Sequence, residues 1–530
     1  MGIASHFRKT SYIAAIMAAT LTSVSAQGAD FWVNKSGSDS HGCTDRTTDA
    51  CLTIQKGISV LSAGDTLNIG SGLYTDVGSK SPYLKPDTPA YFQSYPTDVT
   101  SFNIVLDRSG TKDQPIVIQA DPSNTEPVIV DGQYEYGSSS PTNRGGVFIN
   151  YQDYVHIKNI ELRNFLAEGI ANWDHTGEVP SNSSLSIGVL IEGCAIHHVG
   201  GGDNDAAIAM WSTQDWVVRN NHIYDVYARP DIGRAGSGIQ SFGTINALIE
   251  HNLIEKSSNG ILWKDHYVKD AVTREPVFES EIRYNRIDAP GVGIQITIQG
   301  TGTGEAGVNY IHHNILTGAG SSEGSAILYN MAGASHPTTA RQIISHNLMI
   351  GSNSSDSSAI TLSGTADVEL SGNIFHKFSR AILSRYVSDS RPVGIKSSDR
   401  NIFGAVSSSD LASGVALLDR YSTSSGYSSV SYGAISNWQA ARGSDSLTLS
   451  MDTPDKNGIQ ASISSVINNY AAGDFTYTKT SPAIGLMSDG SNAGPYQFGN
   501  EVIGITSGAI KIGASAPMPP TELVVNVAIK

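Results

Sequence analysis

The run NGILWKDHY sets Lys264, Asp265 and His266 side by side. An amine, a carboxylate and an imidazole in sequence can move a proton. An amine with a lowered pKa can take a proton from carbon when that carbon is acidified by a neighbouring carboxylate whose charge is neutralised. Arg229 and Arg234, in the loop before Gly238, are the cations expected to neutralise such a carboxylate and to keep the lysine unprotonated by like-charge repulsion. Lys264, Arg234, Asp265 and His266 therefore form the candidate catalytic set. The competing reading of Lys264 is a surface lysine paired with Asp265.

Asp203 and Asp205 in GGGDNDAA, with Asp231 two residues beyond Arg229, offer oxygen ligands of the kind that hold Ca²⁺. The same Gly-Asp-Asn-Asp sequence is also ordinary turn chemistry. A hydrolase needs two carboxylates flanking the scissile bond, roughly 5 to 9.5 Å apart. The best pair, Asp174 and Asp265, sits three coils apart, about 14 Å at the strand spacing. No Ser-His-Asp elbow, phosphate loop or Cys/His zinc spacing occurs.

The elements that must position these residues repeat. IKNIEL, IEGCAI, VRNNHI, IEHNLI, IRYNRI, IHHNIL, ISHNLM, LSGNIF and SDRNIF recur with markers Asn159, Cys194, Asn221, Asn252, Asn285, Asn314, Asn347, Asn373 and Asn401, 26 to 35 residues apart. Apolar residues alternate with period two, and each unit is too short for a pair of helices. A unit with one buried face cannot close a core alone, but stacked units can, so the pattern predicts a parallel β-solenoid with three short strands per coil. Asn at the turn tolerates left-handed backbone and can bond the Asn of the next coil, with Cys194 filling one rung.

Aligning the strands on Ile170, Ile208, Ile239, Ile261, Ile294, Ile327, Ile360 and Ile382 puts positions one and three along on the outside. The third position forms a row of Trp173, Trp211, Phe242, Lys264, Thr297, Asn330, Ser363 and Arg385, one step every 4.8 Å or so. Flat rings facing solvent suit the apolar faces of sugars, and the row would run along an extended polymer. Trp173, Trp211, Phe242, Gln240, Gln295, Arg229 and His175 make up the expected substrate-binding set. The other reading is that loops fold over the aromatics as a satellite core.

The chain of 530 residues carries 34 basic and 49 acidic residues, a formal charge of −15, with only 16 % charged residues overall. This excludes disordered and nucleic-acid-binding classes. Residues 1–26, with Arg8 and Lys9 before an apolar stretch and Val24-Ser25-Ala26, read as a signal peptide. Its removal leaves 32 basic against 49 acidic residues, −17, so polyanions are repelled at long range unless local cations compensate. The expected location is secreted or periplasmic. Cys43 and Cys51, eight apart in a polar segment, are expected to pair in that oxidising setting, leaving Cys194 buried.

The asparagine-ladder coils, with FWVNKSGSDSHG and then CLTIQKGISVLSAGDTLNIGSGLYTD, resemble secreted right-handed parallel β-helix proteins of the pectate lyase-like superfamily. The resemblance covers roughly residues 30–405, echoed in SNWQAARGSDS and SPAIGL. It implies an amphipathic capping helix at Ile54 to Val60 and a turn at Gly64-Asp65-Thr66 into the first coil. It also implies a lysine base or base partner at the position of Lys264, as in pectate lyases and in the alginate lyase and chondroitinase B family. Two departures stand against a closer match. The strand before Lys264 reads SGIQSFG where lysine-base pectate lyases carry calcium-binding aspartates, and Thr297 stands where the alginate lyase family has an arginine. The NTD, DD and GHG sequences of polygalacturonase-like hydrolases are absent as a set.

The expectation is thus an all-β right-handed parallel β-helix of about nine or more coils with an N-terminal capping helix and an irregular C-terminal cap. Residues 27–405 form the β-helix, 406–512 the last coils and cap, and 513–530 a closing strand or linker. The expected activity is cleavage of a uronate-containing polysaccharide, a polyuronate above all, by β-elimination, with Ca²⁺ as a possible cofactor and a monomer as the working unit. The alternatives are a glycoside hydrolase or a uronan epimerase on the same face, and a glycan-binding protein without activity.

Overall fold

The computed structural model describes residues 28–506 except 77–78, 81–100, 135–144, 173–184, 202–205, 229–235, 267–278, 290, 300–307, 319–323, 333–339, 353–356, 364–365, 386–393, 405–414, 424–425 and 441–454. The signal-peptide reading, residues 513–530, Trp173, Asp174, His175, Asp203, Asp205, Arg229, Asp231 and Arg234 lie outside the described residues.

Each coil gives one strand to each of three long sheets. The first and second hold twelve strands and the third fourteen among the described residues, and nearly every pairing is parallel. One central apolar column fills the interior, built from Ile157, Ile191, Val218 and Ile249 of the first sheet, Leu162, Ile196, Ile223 and Ile254 of the second, and the aligned isoleucines of the third. All eight aligned isoleucines are fully buried. Gly or Ala precedes each of them because the corner is tight: a Cβ on Gly260 would stand 2.4 Å from the Gly293 carbonyl and the Ile287 methyl.

The turn between first and second sheets is always two residues in the coils from Lys158 to Ile402. Its first residue takes a left-handed backbone, with φ near +55° at Asn159, Asn220, His251, Tyr284, His313, His346 and Arg400, and Gly at 193 and 372. The second residue is the buried ladder member. This corrects the sequence expectation in two ways. The left-handed residue precedes the ladder asparagine rather than being it, and Asn159 lies opposite Gly193, so that Ile160, not Asn159, holds the rung beside Cys194.

From Asn221 to Asn401 the ladder is continuous. Each side-chain amide donates to the next asparagine's Oδ1 at 2.9–3.0 Å, and that oxygen also accepts the backbone N–H. Cys194 joins through its backbone, which donates to Asn221 Oδ1 at 2.9 Å. At the far end the carboxylate of Asp455 stands in for the next asparagine, accepting from the Asn401 amide at 2.7 Å and from the backbone of Arg400 and Asn401. Every rung satisfies polar groups that would otherwise cost about 1–3 kcal/mol each when buried.

The ends are closed as expected, with different detail. Thr53 caps the helix Ile54–Ile58 by accepting from the Lys56 N–H, and Ile54 and Ile58 bury against the first coil. Cys43 and Cys51 form the predicted disulfide. Parallel pairing runs past residue 405: Val415–Thr423 extends the third sheet and Ile459–Ala461 the second. The strand Gly426–Tyr432 then pairs antiparallel, and the helix Ile435–Ala440 lays Ile435 and Trp438 over the open end, blunting the sheet edges.

From Ile463 onward the chain packs on the outer face of the second sheet, where Ile315, Leu348, Ile374 and Ile402 meet Ile467, Phe475 and Tyr496. It then returns along the two-residue turns. Gly494 donates to the Gly372 carbonyl, Gly504 to that of Tyr284, and Thr506 to Asn220 Oδ1.

Candidate active site

The register sets the described backbone positions of the predicted row, from Trp211 onward, in one line. Trp211 pairs with Phe242, Phe242 with Lys264, Lys264 with Thr297, and the row continues through Asn330 and Ser363 to Arg385. Position two along is inward and buried at Met210, Ser241, Trp263 and Ile296. Trp211 and Phe242 stack with ring centroids 4.9 Å apart. Lys264 is half-buried at the next step, with Gln240 buried and Gln295 half-buried on the adjoining row. Gln295 donates to the Thr297 hydroxyl at 3.0 Å. Asp265 and His266 follow Lys264 in the same strand, opposite Ile298 and Gln299.

The satellite-core reading of the aromatics holds for Trp211. Trp211 packs on a small apolar cluster outside the third sheet, formed by Phe102, Val105, Phe148, Ala171 and Ala209. One edge of its indole is therefore core, while the face toward Phe242 continues the row. The third sheet is also where the chain spends its loop length. Twelve residues separate His266 from Glu279 and eight separate Ala228 from Ser237, against two at each first-to-second turn from Lys158 to Ile402. Long loops at both ends of one strand layer are the usual way a rigid scaffold walls a cleft.

Two polar constellations were not singled out from the sequence. On the second sheet Arg163 bonds Asp131 and Glu161 at 2.9 and 3.0 Å, and His197 reaches Glu161 at 3.3 Å. Its ring stacks on Tyr224, which also meets His222, itself 3.0 Å from Glu255. Burial works against ionisation of Glu161, but the bonds from His197 and Arg163 outweigh it and hold the carboxyl below its usual range. The hydrogen bond from His222 lowers Glu255 in the same way. The residues come from five coils at alternating outward positions, so only a known register brings them together.

The second constellation is a stack of the left-handed turn residues. His251, Tyr284, His313 and His346 follow one another with centroids 4.9–5.1 Å apart under the C-terminal segment, where His313 Nε2 meets Gln497 Oε1 at 3.0 Å. Burial drives these imidazoles toward neutrality, His313 down to about 3 and His346 to about 4. Cys194 lies inside the core with its thiol pushed up to about 12 by burial, which suits packing and not nucleophilic chemistry. Among the described residues no group of three His, Cys, Asp or Glu side chains is placed to hold a metal ion. None of their helices is long and apolar enough to cross a membrane.

Comparison with known proteins agrees with this architecture. A family model of the right-handed β-helix region matches residues 145–342. The pectate lyase Pel9A superposes with a TM-score of 0.50 at 12 % identity, over 89 % of this chain and 97 % of that one. A rhamnogalacturonan lyase gives 0.43 at 12 % identity, over 70 % and 86 %. A GH136 lacto-N-biosidase from Eubacterium ramulus gives 0.38 at 14 % identity, over 71 % and 60 %. No curated protein matches the sequence. The chain is a right-handed parallel β-helix, a fold it shares with Pel9A.

Proposed function

We propose that the protein is an exported carbohydrate-active enzyme that cleaves a uronate-containing polysaccharide by β-elimination on the outer face of the third sheet. The observation that carries this reading is the register that sets Lys264 one step beyond the stacked Trp211 and Phe242. The rings offer a platform for sugar faces and the amine stands where the next sugar would lie. The fold shared with Pel9A supports the architecture alone.

In this reading the Lys264 amine takes the C5 proton of a bound uronate. The electron pair forms the C4–C5 double bond, the C4–O bond breaks, and the departing sugar oxygen takes up a proton. Arg229 and Arg234 neutralise the uronate carboxylate, which acidifies C5, while Asp265 and His266 serve proton return. Gln240, Gln295 and His175 complete the substrate contacts. Calcium held by Asp203, Asp205 and Asp231 would supply further neutralisation.

The test is a screen of uronate polymers with and without chelator, following ultraviolet absorbance of an unsaturated uronate product. Absorbance rising with chain cleavage supports the reading, and loss of the signal with chelator adds the metal. Cleavage without absorbance assigns a hydrolase, and binding without any turnover assigns a glycan-binding protein.

A further inference from the structure

Resting on that reading of the third sheet, we infer that Thr297 is a positioning residue for Lys264. Its hydroxyl oxygen, fixed by Gln295, accepts an N–H of the amine and so aims the amine's lone pair at the bound sugar. The strands on either side of Lys264, Ser237–Ile245 and Val292–Gln299, read SGIQSFGTI and VGIQITIQ and contain no charged residue. Asp265 and His266 follow Lys264 on its own strand, and Arg229, Asp231 and Arg234 of the preceding loop lie outside the described residues. Whatever the flanking strands do to the amine, they do through neutral groups.

Of the two in-register neighbours of Lys264, Phe242 is apolar and Thr297 carries an oxygen. Adjacent parallel strands lie about 4.8 Å apart, within reach of a lysine stem. Leu262, buried and two residues before Lys264 on the same face, adds a second apolar wall. Between a phenylalanine, a leucine and a threonine, an amine finds its acceptor on the threonine side. An N–H given to Thr297 turns the lone pair the other way, toward the stacked Phe242 and Trp211 where the sugars of that reading lie.

The hydroxyl is held for this task. Thr297 is 4 % exposed, and a β-branched side chain is stiff at χ1. Gln295 Nε2, two residues earlier on the same face, donates to Thr297 Oγ1 at 3.0 Å. A hydroxyl oxygen has two lone pairs. Gln295 takes one and leaves the other for the amine. When Lys264 gains its proton the same bond becomes charge-assisted and strengthens, so Thr297 stabilises the ammonium as it forms.

The experiment labels the full chain with trace acetic anhydride across a pH series and follows the peptide bearing Lys264 by mass spectrometry, which reads the amine's titration midpoint without any substrate. A hydrogen bond to the charged form favours that form. Thr297→Val, nearly the same shape, should therefore lower the midpoint by about one pH unit, and Thr297→Ser should restore it. Gln295→Leu should move it the same way by less, and carries the test if Thr297→Val does not fold. A midpoint that stays put or rises, or a Ser variant that behaves as Val, overturns the inference. With polygalacturonate and alginate as substrates, Thr297→Val should lower kcat about tenfold with KM unchanged, even though a lower midpoint leaves more free amine. The two claims fail separately. Unsaturated products together with an unmoved midpoint would sink the role of Thr297 and keep β-elimination. A moved midpoint with no unsaturated product from any uronate polymer would keep Thr297's hold on the amine and sink β-elimination.

Discussion

The first and third sheets present the same geometry to solvent and fill it differently. On the first, one outward row reads Lys158, Glu192, Arg219, Glu250, Arg283, alternating in sign coil by coil. Lys158 reaches Glu192 at 3.2 Å, Arg219 reaches the same carboxylate at 2.6 Å, and Arg283 meets Glu250 at 2.8 Å. In-register stacking sets like positions about 4.8 Å apart, so alternation of sign is what a solvated row selects. On the third sheet the row reads Trp211, Phe242, Lys264, Thr297, and the residues in register on either side of Lys264 are a phenylalanine and a threonine. The difference teaches that solubility and stacking alone do not account for the third face.

The largest expected effect is at Lys264. Removing a general base costs 10² to 10⁴ in rate, so Lys264→Ala should lower turnover at least 10²-fold with the circular dichroism spectrum and melting temperature unchanged. Lys264→Arg should be nearly as poor, because guanidinium does not give up its proton at working pH. Full activity in both folded variants would make Lys264 a bystander, and the third row no more chemical than the first.

Next in size is the acid response of the covered turn stack. His313 and His346 have folded pKa values near 3 and 4, well below the free imidazole value of about 6.5. Between about pH 6.5 and those values the unfolded chain binds protons that the folded chain excludes, so stability falls as pH falls, by up to about 1.4 kcal/mol per pH unit for each histidine. His312, Arg283 and Asp489 face them and modulate the slope. Thermal melts from pH 7 to 4 should show a shallower decline for His313→Asn than for the parent chain. An unchanged slope would remove the stack from the acid response.

Trp211→Ala should do two things at once, since its indole is partly satellite core. Stability should drop by roughly 1 to 3 kcal/mol, below the 3–5 expected for a fully buried aromatic. Oligosaccharide affinity should weaken by a similar amount, by analogy with stacking on aromatic side chains. Loss of stability with wild-type affinity would give the residue wholly to the Phe102 and Phe148 cluster.

The smallest effect belongs to the first row. Arg219→Ala should cost less than about 1 kcal/mol, as exposed ion pairs do, and leave turnover untouched. A large loss of activity there, read in the same assay, would erase the distinction between the two faces.

Much of this was legible in residue types and spacing. Asparagines about 30 apart marked the coils, and aligned isoleucines fixed the register of the third sheet well enough to place Lys264 beyond Phe242. The ladder was misread at its start because Asn159 fits the motif by type. Only backbone pairing reveals that it is the left-handed residue and that Ile160 holds the rung. Contacts between distant segments left no local trace: Phe102 and Phe148 under Trp211, Asp455 closing the ladder from 54 residues beyond Asn401, and Thr506 reaching back to Asn220. The His197, Tyr224 and His222 cluster was hidden for another reason. His197 lies a coil's length from His222 and Tyr224 in sequence and becomes their neighbour only through stacking.

The central claim is that this face removes a proton from C5 of a uronate, and isotope loss at that carbon tests it most directly. With a cleaved polymer deuterated at C5, the account predicts that label leaves in step with each broken linkage, and that Lys264→Ala slows both together. Cleavage products that retain the C5 label would contradict it, and so would label exchange that proceeds without cleavage.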